Sequence, residues 1–298
     1  MINTNMKAVI DIGTNSCRLF IACVENKKIK NKILKLMEIT RLGQDVDKTK
    51  FLREDAMVRT IETLKFYRQK IDEYGIKKIK VTATSATRDS KNREEFIARV
   101  KAETNFEIKC ITGEEEGKYS FSGAVSEFDK KIMVFDIGGG STEFILGDKY
   151  NIEYIESFNV GAVRLGEKFF RGKNNLLDSE VWVKEILKKL SKYKEQEFIL
   201  VGVAGTVTTH VSVFLGMEEY DRDRVHMYRL TKKEILKNLD LFLSKTTEER
   251  ENIIGLHPKR AEIIIPGTYL LLWIMEILKK DEIVVSESDI LEGMMMSD

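Results

Sequence analysis

The sequence predicts an α/β protein of two similar halves, each a mixed sheet flanked by helices. Three observations predict it. A strand–turn–strand unit occurs twice, strand-like and helix-like segments alternate along the chain, and 298 residues suit two domains of roughly 150. The later copy of the unit is VFDIGGGSTEFILG, Val134 to Gly147, and the earlier one is VIDIGTNSCRLFIA, Val9 to Ala22. Asp11 matches Asp136, Ile12 matches Ile137, Gly13 matches Gly138 and Ser16 matches Ser141. Such spacing predicts two related domains with their turns facing each other across a cleft.

In each copy an apolar strand ends at an acid and a polar, glycine-bearing turn follows. Glycine there is expected to take positive φ and to let the backbone approach a bulky anion. Successive N–H groups of such a turn form a concavity that binds phosphate. Gly13, Thr14, Asn15 and Ser16, and Gly138, Gly139, Gly140 and Ser141, are therefore the candidate cradles. Gly205 and Thr206, after an apolar strand and before a helix, add a third set of amides with helix N-terminal polarity. Asp11 and Asp136 are candidate Mg²⁺ (or Mn²⁺) ligands, since this ion takes one or two carboxylates plus substrate phosphates. Strand alternation puts Glu143 on the face of Ser141, as a further metal candidate, and Arg18 on the face of Ser16, within reach of a ligand.

Taken in order, strands are expected at Ala8–Asp11, Arg18–Val24 and Ile29–Met37, then a loop at Thr40–Thr49. Met57, Ile61, Leu64 and Ile71 fall on one face of a helix from Arg53 to Tyr74, which Gly75 stops. A strand Ile79–Ala83, a loop Thr84–Ser90, a helix Lys91–Glu103 capped by Asp89 or Ser90, and a strand Phe106–Ile111 follow. Thr112 and Glu115 form a capping box, so Glu114 complements the helix dipole and Glu116 lies one place beyond the box. The second half repeats the theme with strands Ile132–Asp136, Thr142–Leu146 and Ile152–Ser157. Helices are expected at Ala162–Phe170, Asp178–Lys192, Thr231–Ser244 and Arg260–Lys279, and strands at Phe198–Val203 and Glu282–Val285.

Lysine plus arginine number 49 and aspartate plus glutamate 48. The near-zero balance argues against bulk nucleic-acid or membrane affinity, while a local field in a cleft still serves a polyanion. Cys17, Cys23 and Cys110 have neither disulfide nor metal spacing, which fits reduced thiols and a cytoplasmic setting. His210, His226 and His257 share no i, i+4 pair, which argues against zinc. The N-terminal MINTNMK lacks the apolar core of a signal peptide. Ile263–Met275, uncharged but interrupted by Pro266 and Gly267, is too short to span a bilayer and reads as a buried helix.

The paired D-I-G-T-N-S and D-I-G-G-G-S-T-E motifs resemble the sugar kinase/actin superfamily of ribonuclease H-like two-domain proteins. More narrowly, the chain resembles the exopolyphosphatase/guanosine pentaphosphate phosphohydrolase family. The likeness runs through TATSATRDSKN, ITGEEEGKYSF, NVGAVRLGEKF, GVAGTVTT, YDRDRVHMY and ILEGMMM, in that order. It implies a first domain of residues 1–116, with 288–298 packing back on it, and a second of 117–287. It implies release of terminal phosphate from polyphosphate or guanosine pentaphosphate, with Glu116 activating the attacking water. Arg88 matches the arginine of the family's T-S-A-x-R motif and Ser85 and Thr87 lie beside it; Arg164 and Arg260 match positions kept basic. Rival readings are a small-molecule kinase of the same superfamily and a nonhydrolytic polyphosphate or alarmone sensor. A homodimer is left open. The chain departs from the family at Arg222 and Met227, where proline and glycine are usual, and at Leu291, where arginine is.

Overall fold

The computed structural model describes residues 5–172 and 175–297; the first four residues, part of the stretch read for a signal peptide, lie outside them. Two compact units divide the chain, Met1–Gly123 with Ile290–Asp298, and Ala124–Asp289.

The first unit runs β1 (Met6–Ile12), β2 (Ser16–Glu25), β3 (Lys28–Ile39), α1 (Val46–Thr49), α2 (Glu54–Glu73), β4 (Lys78–Ala83), α3 (Ser85–Arg88), α4 (Arg93–Thr104), β5 (Ile108–Cys110) and α5 (Gly113–Ala124). Its sheet has the ribonuclease H-like order β3-β2-β1-β4-β5, with β1–β3 antiparallel and β4 and β5 parallel to β1. β1 and most of β2 are buried on both faces, and alternation assigns the residues. Ile10, Ile12, Leu19 and Ile21 pack with Met57, Ile61, Leu64 and Ile71 of α2 and with Phe96 and Val100 of α4. Val9, Phe20, Ala22 and Val24 pack under the C-terminal helix, Ile290–Met296. That helix touches α5 backbone to backbone: a Cβ on Gly293 would stand 1.9 Å from the Tyr119 carbonyl oxygen. This contact explains why α5 stays with the first unit to Gly123, past the boundary expected after residue 116.

Two expected loops contain single helical turns, α1 and α3. The N-cap of α4 is Asn92, not Asp89 or Ser90, and it makes no side-chain cap. Its amide instead accepts from the Leu52 N–H at 2.8 Å and donates to the Leu52 carbonyl at 3.0 Å. Gly75 stops α2 in the left-handed region (φ +65°), as expected.

The second unit runs β6 (Ile132–Ile137), β7 (Thr142–Gly147), β8 (Ile152–Phe158), α6 (Ala162–Leu165), α7 (Leu176–Leu187), β9 (Ile199–Val203), α8 (Ala204–Phe214), α9 (Arg222–Val225), β10 (Tyr228–Thr231), α10 (Lys232–Leu243), α11 (Thr247–Arg250), α12 (Ile264–Ile277) and β11 (Glu282–Val285). The sheet order is β10-β11-β9-β6-β7-β8. Read from β8, it repeats the order of the first sheet and adds β10, a four-residue strand with no sequence signal of its own. The expected helix from Ala162 to Phe170 begins as α6 and widens into a π turn, Gly166–Phe170. The uncharged run is buried in α12, where Pro266 sits in the first turn and forfeits no intrahelical bond. Among the described residues no helix is long and apolar enough to cross a membrane, and all three cysteines are free thiols.

His210 of α8 is wholly buried between α10 and α12. The Asn238 amide donates to its Nδ1 at 3.1 Å, while its Nε2 lies 2.9 Å from Thr268 Oγ1, whose own proton goes to the Ile264 carbonyl. These partners place the ring proton on Nε2 and keep the ring neutral. Burial pushes its pKa down to about 3. The unfolded chain therefore binds the extra proton first as pH falls, so stability is full above the unfolded pKa and is lost below it. Between pH 7 and pH 5 this one group should remove about 2 kcal/mol. Urea titrations at the two pH values should show that loss in the wild type and less of it in His210→Gln; equal losses would discard the assignment.

Candidate active site

In the first unit the carboxyl ends of β1, β4 and β5 lie side by side, the edge where open α/β sheets bind ligands. Each delivers a piece of the candidate site: the turn Gly13–Ser16, then α3, then the start of α5. The turn is closed by the Gly13 N–H donating to the Ser16 carbonyl at 2.9 Å. Two of its other carbonyls are occupied, Thr14 by the Gly43 N–H at 2.8 Å and Asn15 by the Arg41 N–H at 2.9 Å. The N–H groups of Thr14 and Asn15 donate to no backbone carbonyl among the described residues. Gly43 is fixed by contact, since a Cβ there would come within 2.3 Å of Thr14 Cγ2.

On α3, Ser85 and Thr87 are buried and their hydroxyls have no hydrogen-bond partner among the described residues. Arg88 Nη1 donates to the Ile111 carbonyl at 3.0 Å and lies 3.5 Å from Glu116 Oε2. The capping box of α5 is present: the Thr112 N–H reaches Glu115 Oε2 at 2.9 Å and the Glu115 N–H reaches Thr112 Oγ1 at 3.2 Å. Lys109 and the Thr112 N–H hold the Glu115 carboxyl below the usual range. Glu114 is exposed and Glu115 half-buried, whereas Glu116 is 8% exposed and turned inward beside Arg88. Of the three acids that open α5, Glu116 alone is buried. Asp11 lies directly across the β1–β2 pair from Arg18, whose Nη2 donates to Asp11 Oδ2 at 2.7 Å.

The second unit repeats the turn. The Gly138 N–H donates to the Ser141 carbonyl at 3.0 Å. Behind it, the start of α6 collects the carbonyls: Gly138 by the Ala162 N–H at 3.0 Å, Gly139 by the N–H groups of Val163 and Arg164 at 2.9 and 3.0 Å, and Gly140 by Arg164 Nε at 2.7 Å. The N–H groups of Gly139, Gly140 and Ser141 donate to no backbone carbonyl, and the buried Ser141 hydroxyl has no hydrogen-bond partner, among the described residues. A Cβ on Gly161 would stand 2.6 Å from the Gly138 and Gly139 carbonyl oxygens. Gly13 and Gly138 are not at positive φ, contrary to expectation. Adding a Cβ would bring it to 3.0 Å from the Ser16 carbonyl oxygen and 3.1 Å from that of Ser141, so the requirement is space rather than handedness.

Asp136 faces Glu143 across the β6–β7 pair, and Ser157 Oγ donates to Glu143 Oε1 at 2.6 Å. Asp136 also stands beside Val203 at the end of β9. There the chain enters α8 through Ala204, a non-glycine at φ +65°, and the N-terminus of α8 carries no side-chain cap. The Arg260 guanidinium lies over Gly205, filling the place of a Cβ, with Nη1 3.5 Å from Thr209 Oγ1. Thr206 packs next to Gly267, whose Cβ would be 3.2 Å from it.

The structure thus gathers Asp11, the first turn, Arg18, Ser85, Thr87, Arg88 and Glu116 within the first unit. It gathers Asp136, the second turn, Glu143, Arg164, Gly205, Thr206 and Arg260 within the second. Sequence reasoning missed the residues that prop the turns, Arg41, Gly43 and Gly161, and the Ser157 donor. Gly161 belongs to the quoted NVGAVRLGEKF stretch, yet nothing local marks it as a contact point.

The profile of the Ppx/GppA phosphatase family matches residues 3–298. The chain is 48% identical to the bifunctional 3-dehydroquinate synthase/phosphatase of Fusobacterium nucleatum over 98% of its own length, and spans 46% of that relative. It is 31% identical to exopolyphosphatase 2 of Mycobacterium tuberculosis, over 97% of each chain. The crystal structure of the Aquifex aeolicus Ppx/GppA family member matches with a TM-score of 0.79 at 36% identity, covering 98% of this chain and 96% of that one. Two turns of one design, set on sheets of one order, agree with these matches, and the chain belongs to the Ppx/GppA phosphatase family, as a phosphohydrolase.

Proposed function

We propose that the chain releases terminal orthophosphate from inorganic polyphosphate or the 5′-terminal phosphate from guanosine pentaphosphate, with Glu116 as the base. The observation that carries this reading is the one-sided bonding of both turns. The Thr14 and Asn15 carbonyls of one and the Gly138, Gly139 and Gly140 carbonyls of the other accept hydrogen bonds from neighbouring segments, while the Thr14, Asn15, Gly139, Gly140 and Ser141 amides donate to no backbone carbonyl among the described residues, which is the polarity an oxyanion needs. In the first unit the terminal phosphoryl oxygens accept from the Thr14 and Asn15 amides and from Arg88. Glu116 accepts a proton from a water as its oxygen bonds to phosphorus. The bridging P–O bond breaks, and its electron pair stays on the shortened chain.

A divalent cation fits the second unit's donor set, two carboxylates directly opposite each other at a strand end, one of them wholly buried. Among the described residues no group of three or more acids, histidines or cysteines is placed to hold a metal. The ion would therefore be Mg²⁺ or Mn²⁺ held by Asp136 and Glu143 with water and phosphate oxygens. When bound, it supplies charge neutralisation on the phosphates.

The test is phosphate release from tripolyphosphate, long polyphosphate and guanosine pentaphosphate, each with Mg²⁺ and with EDTA, beside ATP with a panel of sugar acceptors. Orthophosphate from at least one of the first three, lost in EDTA, is expected. Acceptor-dependent ADP without orthophosphate would transfer the site to the kinase reading, and tight binding without turnover to the sensor reading.

A further inference from the structure

We infer that Gly293 is a positioning residue for Glu116: through it the C-terminal helix sets where that carboxylate stands relative to the Gly13–Ser16 turn. The inference rests on Glu116 being the base, as proposed above. On α5, Glu116 lies between two fixed points. Before it, the capping box of Thr112 and Glu115 closes the start of the helix, and the Glu116 N–H donates to the Thr112 carbonyl at 3.0 Å. Three residues after it, the backbone of Tyr119 meets Gly293. A Cβ on Gly293 would stand 1.9 Å from the Tyr119 carbonyl oxygen, 2.6 Å from the carbonyl carbon and 2.8 Å from Cα. All three are main-chain atoms, so no side chain at this point can swing aside to absorb a change. A helix is stiff over one turn, about 4.5 Å of axis for three residues. Whatever fixes Tyr119 therefore fixes Glu116.

The other side of this contact is held by the sheet. Ile290, Leu291, Met294 and Met295 cover Val9, Phe20 and Ala22 of β1 and β2. Glu292, itself buried, accepts from Lys35 Nζ of β3 at 3.1 Å. On β4, Thr82 Oγ1 lies 3.3 Å from Met294 Sδ, and Lys80 Nζ donates to Ser297 Oγ at 2.7 Å. Lys7 of β1 donates to the Ser297 carbonyl at 3.3 Å. The helix is thus pinned to four strands, and two of them, β1 and β4, lead directly into the Gly13–Ser16 turn and α3. One rigid piece runs from the strands that carry the phosphate cradle to the helix that carries the base. A base must come within about 3 Å of its water, and a misplacement of about 1 Å costs about 10²-fold. Gly293 is the point at which that spacing is set.

The test is a cycle of Gly293→Ala and Glu116→Gln, alone and together, on tripolyphosphate hydrolysis, with enzyme in excess for the slow variants. Gly293→Ala should lower kcat about 10²-fold and leave KM within about three-fold, because the phosphate contacts ride on the sheet and the base does not. In the Glu116→Gln background the same change should cost less than about two-fold, as for a residue that acts through the missing base. Val100→Ala, which trims the core between α4 and the sheet, is the stability control: it should lower the melting temperature and leave kcat near wild type. Should Gly293→Ala not fold, Met295→Ala decides. It loosens the C-terminal helix on the sheet without crowding Tyr119, and its loss of about ten-fold in kcat should likewise vanish without Glu116. A loss equal in both backgrounds, a loss confined to KM, or a fully active Gly293→Ala overturns the inference and leaves the base in place. Unchanged turnover in Glu116→Gln alone would instead sink the base assignment, and the inference with it.

Discussion

Replacing Glu116 with glutamine should lower phosphate release by about 10²–10⁴-fold, the usual contribution of a positioned base. The change is isosteric. It preserves an oxygen for Arg88, leaves the Thr112–Glu115 cap in place, and removes only the capacity to take a proton from water. Folding and substrate binding should persist, so KM should move little while kcat falls. Glu115→Gln is the internal control: it perturbs the cap by about 1 kcal/mol but touches no reacting atom, so its turnover should stay near wild type. Initial rates with both variants, alongside their melting temperatures, separate the two roles. Unchanged turnover in Glu116→Gln would remove the residue from the mechanism.

The second large effect is expected from a residue that touches no substrate. Gly161→Ala places a Cβ 2.6 Å from the Gly138 and Gly139 carbonyl oxygens. These are backbone atoms, so no side chain can swing aside to relieve the contact. Either α6 or the turn must shift by several tenths of an ångström. A shift of that size in a cradle that positions phosphate should cost about 10²-fold in kcat/KM. Gly43→Ala should be milder, because its clash is with the Thr14 side chain. Measuring kcat/KM for tripolyphosphate with circular dichroism on both variants checks the order; a fully active Gly161→Ala would show that α6 does not set the turn.

The core of this site was legible because the chain states it twice. Asp-Ile-Gly followed by serine three places after the glycine recurs with the same flanking strands, and the two turns close through the same hydrogen bond. Alternation placed Glu143 on the face of Ser141, and the capping box set Glu116 apart from its acidic neighbours. What escaped was set by contacts between distant segments. Gly43 and Gly161 are glycines because other backbones or side chains pass close to them, and no local pattern reports that. The turn glycines were expected at positive φ and do not take it, whereas Ala204, leading into α8, and Met227, where the family usually has glycine, are among the non-glycine residues that do. Helical turns of four residues, such as α1 and α3, are too short to show a periodicity.

The docking of Ile290–Met296 onto β1 and β2 has a consequence for biosynthesis. Val9, Phe20, Ala22 and Val24 are translated before the whole of Ala124–Asp289, yet their cover, Ile290–Met296, is translated after it. The uninterrupted unit can therefore finish first, while the earlier one waits with an oily sheet face that nascent-chain chaperones would recognise.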